Sequence, residues 1–186
     1  KLKEHCTQEG IQRAKKAING LQEQKAEELY QQYTSATLPD VKEVYFKELK
    51  ENYPGSDVVA LLELSMLSHD QFKIKEKDLF DKFIQKNDFH NLLRLAELYA
   101  QREDYKTKAI GAYTFIIDYA GQDLDSVSRA LMARAAISSN DPRGNYASVY
   151  EKVTADEALQ QAFQQNGLYD ALLKELERKK ESGGNL

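Results

Sequence analysis

Residues 89–121 read FHNLLRLAELYAQREDYKTKAIGAYTFIIDYAG, and the spacing of their apolar side chains decides the fold. Leu92, Leu95, Ala96 and Tyr99 recur at intervals of three and four, which places them on one stripe of a helix. Arg102-Glu103-Asp104 is a polar break. Ala109, Tyr113 and Ile116 then repeat the helical interval. The stretch therefore predicts two helices joined by a turn, with small residues where they cross and Gly121 closing the second.

The same texture extends in both directions. Ile11, Ala14, Ile18, Leu21, Leu29 and Tyr33 lie roughly on one face of a helix over residues 11–33. No apolar–polar alternation is sustained over a strand length, and Ala, Leu, Glu, Lys and Gln dominate, all good helix formers. The chain is thus expected to be all-α. Punctuation cuts it into nine or ten helices. Thr37-Leu38-Pro39-Asp40 closes the first, with Asp40 as the next cap. Tyr53-Pro54-Gly55-Ser56-Asp57 ends the second, with Ser56 or Asp57 capping the third. Polar breaks are read at His69 to Lys75 and Lys86 to His90. Gly121 to Ser126 is a turn with Asp125 or Ser126 as its cap. Ser138 to Asn145 is the longest turn-rich run, and Asn166-Gly167 marks the last turn.

A unit of about 34 residues built from two helices is the tetratricopeptide pattern. Residues 24–56 fit it through Leu29, Tyr33, Phe46, Leu49 and Pro54, although Tyr30 and Lys42 stand where small residues are usual. Residues 89–121 fit better, with one extra residue in the turn. Degenerate copies carry Ala60, Leu64, Ser65, Phe80 and Phe83, then Ala130, Ala133, Ala136, Tyr146 and Tyr150. The chain therefore resembles the tetratricopeptide-like superfamily. Phe46 to Ser56, ending Tyr-Pro-Gly-Ser ahead of the Ala/Leu-rich Val58 to Leu67, is similar to its bacterial cell-envelope branch. The resemblance implies a right-handed α-solenoid of antiparallel helix pairs over residues 24–181. Residues 1–23 would form an N-terminal helical extension or cap, and 182–186 a flexible tail. It also implies a concave groove that holds a protein or peptide. The localisation it favours is a bacterial periplasmic or inner-membrane assembly, with the cytoplasm as the alternative.

Composition removes several other functions. The 186 residues carry 26 Lys plus Arg against 30 Asp plus Glu, a net charge of −4, which argues against nucleic acid as the partner. One cysteine, Cys6, excludes an internal disulfide framework. His5, His69 and His90 lack the spacing of a zinc helix, so neither a metal nor a cofactor is expected. No run approaches the roughly 20 apolar residues of a membrane span, so no direct membrane insertion is expected in this segment. There is no phosphate loop, nucleophile elbow or Cys/His pair in a suitable context, so the chain is read as non-catalytic. His5-Cys6 is read as incidental, and Cys6 lacks the small-residue context of a lipid acceptor.

Candidate partner-binding residues lie on the first helix of the best pair: Asn91, Arg94, Glu97, Tyr99 and Gln101, with His90 beside them. Arg94 would pair with a partner carboxylate. The Lys/Asn carboxylate clamp of some superfamily members is not expected, because Leu93 and Glu97 hold its places. As a group the tyrosines, Tyr30, Tyr33, Tyr45, Tyr99, Tyr105, Tyr113, Tyr119 and Tyr150, are read chiefly as core, with a few as groove anchors, among which Tyr99 is chosen. The turn at 138–146 is read as a connector. Residues 2–33 would be one long helix or two broken near Gly20, whose seam of Ile11, Ala14, Ile18 and Leu21 caps the array or joins a homodimer. The expected function is a non-catalytic scaffold or adaptor. The alternatives are a structural subunit that self-associates through terminal helices, and a secretion chaperone or co-chaperone.

Overall fold

The computed structural model describes residues 8–138, 141 and 144–181. His5-Cys6, four residues of the 138–145 turn (139, 140, 142 and 143) and the tail 182–186 lie outside the described residues. Ten α-helices and one 3-10 turn, and no strand, are present among the described residues. The all-α expectation is met. The chain divides into two compact units, residues 1–76 and 77–186, and each is described by itself.

The first unit is built from α1 (Gln8–Ser35), α2 (Pro39–Asn52) and α3 (Asp57–Ser65). Ala26, Leu29, Leu49, Val58, Val59 and Leu62 form its core, with Tyr30, Tyr33, Tyr45, Phe46 and Tyr53 packed half-buried around them. Burying each large aliphatic side chain stabilises the fold by about 1.5–3 kcal/mol. Lys42 and Lys50 lie over the rings of Tyr33 and Phe46, 5.5 and 5.3 Å from the centroids. Their stems thereby cover aromatic surface while the ammonium groups stay wet. Glu23 accepts a hydrogen bond from the Asp57 backbone N–H at 3.2 Å, so α1 closes the first turn of α3. Ser56 caps α3 by accepting from the Val59 N–H, as expected.

Of the two readings of the N-terminal segment the structure takes the single long helix: α1 runs through Gly20, where a solvent-facing helix glycine costs only about 1 kcal/mol. Two local expectations are corrected here. Asp40 does not cap α2. Leu38 is the N-cap and Pro39 the first helical residue, with its φ already fixed for a helix, so Asp40 sits inside the first turn. His69 to Lys75 is not a break, because α4 (His69–Lys86) starts there. Phe72, Glu76 and Phe83 are all buried at helical intervals within this polar-looking run.

The second unit holds α5 (Phe89–Ala100), a 3-10 turn (Glu103–Tyr105), α6 (Lys106–Tyr119), α7 (Leu124–Ile137), α8 (Tyr146–Ala155), α9 (Glu157–Gln165) and α10 (Leu168–Glu181). The 3-10 turn absorbs the extra residue of the 89–121 pair. α5 packs on α6 and α7, and α6 packs on α7. α7 in turn packs on α8, α9 and α10, α8 on α9 and α10, and α9 on α10. Ala96, Ala109, Ala112, Ala130 and Ala135 are all essentially inaccessible, which lets the helix axes approach closely. Tyr99, Tyr113, Ile116, Phe163 and Leu172 fill the spaces between. Ala136 and Tyr119 are exposed, against the core reading of both.

The turns obey backbone chemistry. Gly121 and Gly167 take φ of 56° and 65° just after α6 and α9, where a left-handed residue ends a helix and glycine fits without a Cβ clash. The α7 cap is Asp123, which accepts from the Ser126 N–H at 3.1 Å, not Asp125 or Ser126 as expected. α7 starts two or three residues earlier than a cap at Asp125 or Ser126 would have it. That draws Asp125 and Ser126 into its first turn.

Candidate partner-binding face

Asp88, Asn91 and Arg94 are joined in a relay along one side of α5. Asp88 caps the helix by accepting from the Asn91 backbone N–H at 3.1 Å. A second oxygen of Asp88 accepts from the Asn91 side-chain amide at 2.9 Å. Asn91 Oδ1 then accepts from Arg94 Nη1 at 3.2 Å. Residues three apart on a helix are neighbours on its surface, so the cap extends directly into the surface relay. The Asn and Arg side chains are thereby held in one arrangement before any ligand arrives.

Glu97 is the next residue along that side. The residue as a whole is exposed, yet its carboxyl is crowded enough that burial raises it above the ordinary carboxylate range. Arg129 of α7, then Arg94 and His90 of α5, act in the opposite direction and do not cancel that effect. Arg129 is itself paired with Asp125 at 3.2 Å, one turn earlier on α7. Behind the crease lies Tyr113 of α6, 1% exposed, whose phenol is pushed well up, first by burial and then by the charge of Glu97. Arg94, Arg129, Asn91 and the carboxylates of Asp88, Glu97 and Asp125 thus belong to α5 and α7, which pack on each other and on α6. Such a face can exchange its internal pairs for those of a polypeptide.

Of the expected site residues, Asn91, Arg94 and Glu97 are brought together here. Gln101 is exposed just beyond the helix end, where its backbone N–H closes the last turn onto Glu97 and Tyr99. Tyr99 is corrected: it is fully buried, its ring 5.6 Å from that of Tyr105 and 6.5 Å from that of Phe80. Lys108 lies over both Tyr99 and Tyr105. Tyr99 thus supports the face from the core and does not line it. Leu93 is also buried, so the place of a clamp cation is filled by core. The sequence reading missed Asp125 and Arg129. Asp125 stands 34 residues after Asn91 and Arg129 stands 35 after Arg94, near the 34-residue spacing that the repeat reading expects.

A second recess of about 430 Å3 lies between α8 and α10. Ala147, Tyr150, Leu173 and Leu176 make its apolar floor, and Glu151, Glu177 and Lys180 stand around it. Nearby, Glu175 accepts from Arg178 at 2.7 and 3.0 Å. Among the described residues no group of three or more His, Cys, Asp and Glu is arranged to hold a metal, and no helix is long and apolar enough to cross a membrane. No family model, characterised protein or solved structure matches the chain.

Proposed function

We propose that this chain is a non-catalytic scaffold that binds a protein or peptide partner on the α5–α7 face of a tetratricopeptide-like array. The packing order of residues 77–186 supports that reading. α5 touches both α6 and α7, and α7 touches both α8 and α9. α5 and α7 therefore each contact their own partner and the first helix of the next pair, as neighbouring pairs in a stacked array would. A bacterial envelope assembly is the setting suggested by the Phe46 to Ser56 resemblance.

The observation that carries the proposal is the Asp88–Asn91–Arg94 relay on α5, next to which Glu97 feels the charges of both Arg94 and Arg129 of α7. Polar side chains held in place by one another lose little freedom on binding, so most of their contact energy appears as affinity. A partner segment with carboxylates or backbone carbonyls suits Arg94 and Arg129, and Glu97 and Asp125 receive its amides or cations.

The test is partner capture by site-specific crosslinking from the face, followed by direct binding of the captured protein. Arg94→Glu together with Arg129→Glu should weaken binding at least about tenfold, because both reversals fall within the interface. Lys47→Glu on α2 together with Lys73→Glu on α4, two exposed positions, serves as a charge-matched control and should leave binding unchanged. Undiminished binding by the double variant, with its helicity intact, would remove this face from the interaction.

A further inference from the structure

Asn166 and Gly167 join α9 to α10, and hydrogen bonds from both residues hold the junction. Asn166 ends α9 with φ −85° and ψ 1°, its backbone N–H donating to the Ala162 carbonyl at 3.0 Å. Gly167 takes the left-handed φ of 65° and donates its N–H to the Gln164 carbonyl at 3.0 Å. The Asn166 side-chain amide donates to Ser128 Oγ on α7 at 3.0 Å, across 38 residues of sequence. Ser128 is fully buried, and its hydroxyl donates in turn to the Asp125 carbonyl at 2.9 Å. The hydroxyl thus gives one bond and receives one, and the Asn166 amide is anchored to the core through it. The nearby Ser126 hydroxyl is also buried and has no hydrogen-bond partner among the described residues.

An asparagine followed by glycine carries a reaction within itself. The glycine nitrogen can attack the side-chain amide carbon, because no Cβ stands in the way. The bond from the glycine nitrogen to Cγ forms and the Cγ–Nδ2 bond breaks. The glycine N–H proton leaves with the side-chain nitrogen as ammonia. Water then opens the cyclic imide, its hydroxyl going to one ring carbonyl carbon and its proton to the ring nitrogen. Opening at Cγ gives aspartate. Opening at the backbone carbonyl gives isoaspartate, whose main chain runs through the side-chain methylene. In this junction the moving atoms are restrained. The attacking nitrogen is donating to Gln164, and the leaving nitrogen is bound to Ser128. Ring closure must also swing the Asn166 ψ far from 1°, which carries Gly167 off Gln164.

We propose that Asn166–Gly167 is a modification site gated by Ser128. It stays an asparagine while the α9–α10 junction is docked on α7, and it converts to aspartate or isoaspartate when the junction opens. Gly167 is exposed and Asn166 half-buried, so water reaches the imide. Neither product has the Nδ2 donor, so the bond to Ser128 cannot re-form and the change records opening in one direction. The reaction consumes only water and needs no partner, so it stands apart from the α5–α7 reading. The same dipeptide at Asn19–Gly20 lies exposed within α1, in the other compact unit, and serves as an internal reference.

The test incubates the full chain in mildly alkaline buffer and follows amide-to-acid conversion at both dipeptides by peptide mapping and mass spectrometry. Conversion at Asn166 should be at least about tenfold slower in the folded chain than in urea. Ser128→Ala removes the acceptor and should speed it about fivefold, the factor by which losing one hydrogen bond favours opening, with Asn19 unchanged. Ser128→Cys, close in shape but a weak acceptor, should act in the same direction and covers the case in which alanine unfolds the chain. Ser126→Ala, which removes the hydroxyl without a partner, should leave the Asn166 rate as it was. The proposal is overturned if Asn166 converts as fast folded as in urea, or stays unconverted in urea. It is also overturned if the Ser128 variants at native helicity leave the rate unchanged, speed Asn19 equally, or are matched by Ser126→Ala.

Discussion

At Glu97 two opposing effects act on one carboxyl, and burial wins over Arg129, Arg94 and His90. The sign of the consequence follows from which state holds the proton more tightly. A carboxyl raised in the folded chain is protonated there at a pH where the unfolded chain has already released it. Below the ordinary carboxylate range both states are protonated and Glu97 has no effect. As pH rises through that range and past the raised value, stability is lost, because the ionised carboxylate is less welcome in the fold than in water. Glu97→Gln should therefore raise the thermal midpoint near pH 7, and the gain should vanish on acidification. A lower midpoint at neutral pH would mean that the arginine pairing outweighs desolvation. At the same scale, the side chains of Asn91, Arg94 and Glu97 were legible in the sequence because one helix period puts them together. Tyr99 was misplaced, although its own spacing from Leu92, Leu95 and Ala96 assigns it to the buried stripe.

Helix ends separate what a sequence reveals from what it leaves open. Ser56 was readable as one of two caps, with Asp57, because Pro54 and Gly55 end the preceding helix just before it. The turn after α6 offers Asp123, Asp125 and Ser126 within four residues, and only the phase of α7 chooses among them. The structure chooses Asp123. Asp123→Ala should cost about 1 kcal/mol by thermal or denaturant unfolding. Asp125→Ala removes an exposed ion pair with Arg129 and should cost no more than a few tenths of a kcal/mol. The reverse order would return the cap to Asp125. The start of α4 was hidden for a related reason. Its first turns are polar by composition, and the burial of Phe72 and Glu76 depends on tertiary surroundings that composition does not carry.

Across the whole molecule, cover is unevenly distributed. Each compact unit has a core of its own, while residues 10–22 have none. Amide exchange depends on how much structure must open to expose a backbone N–H. The amides of Leu92 to Tyr99 should exchange most slowly, those of α2 and α3 should also be protected, and those of Gly10 to Gln22 should exchange fastest among the described helices. Slow exchange in Gly10 to Gln22 in the isolated chain would show that the seam is already covered. The all-helical class was readable because period and composition agree along the chain. The pairing of α5 with α7 was not, because it depends on how consecutive helix pairs register.

Asp88 has two duties: it closes the first turn of α5, and it anchors Asn91, which in turn steadies Arg94. The residue before it, Asn87, bends the chain into the left-handed region with φ of 52°. A ligand that draws Arg94 off Asn91 therefore slackens the same joint that starts the helix. If the proposed partner engages Arg94, recognition and fraying become two ends of one lever, and binding there would loosen the first turn of α5.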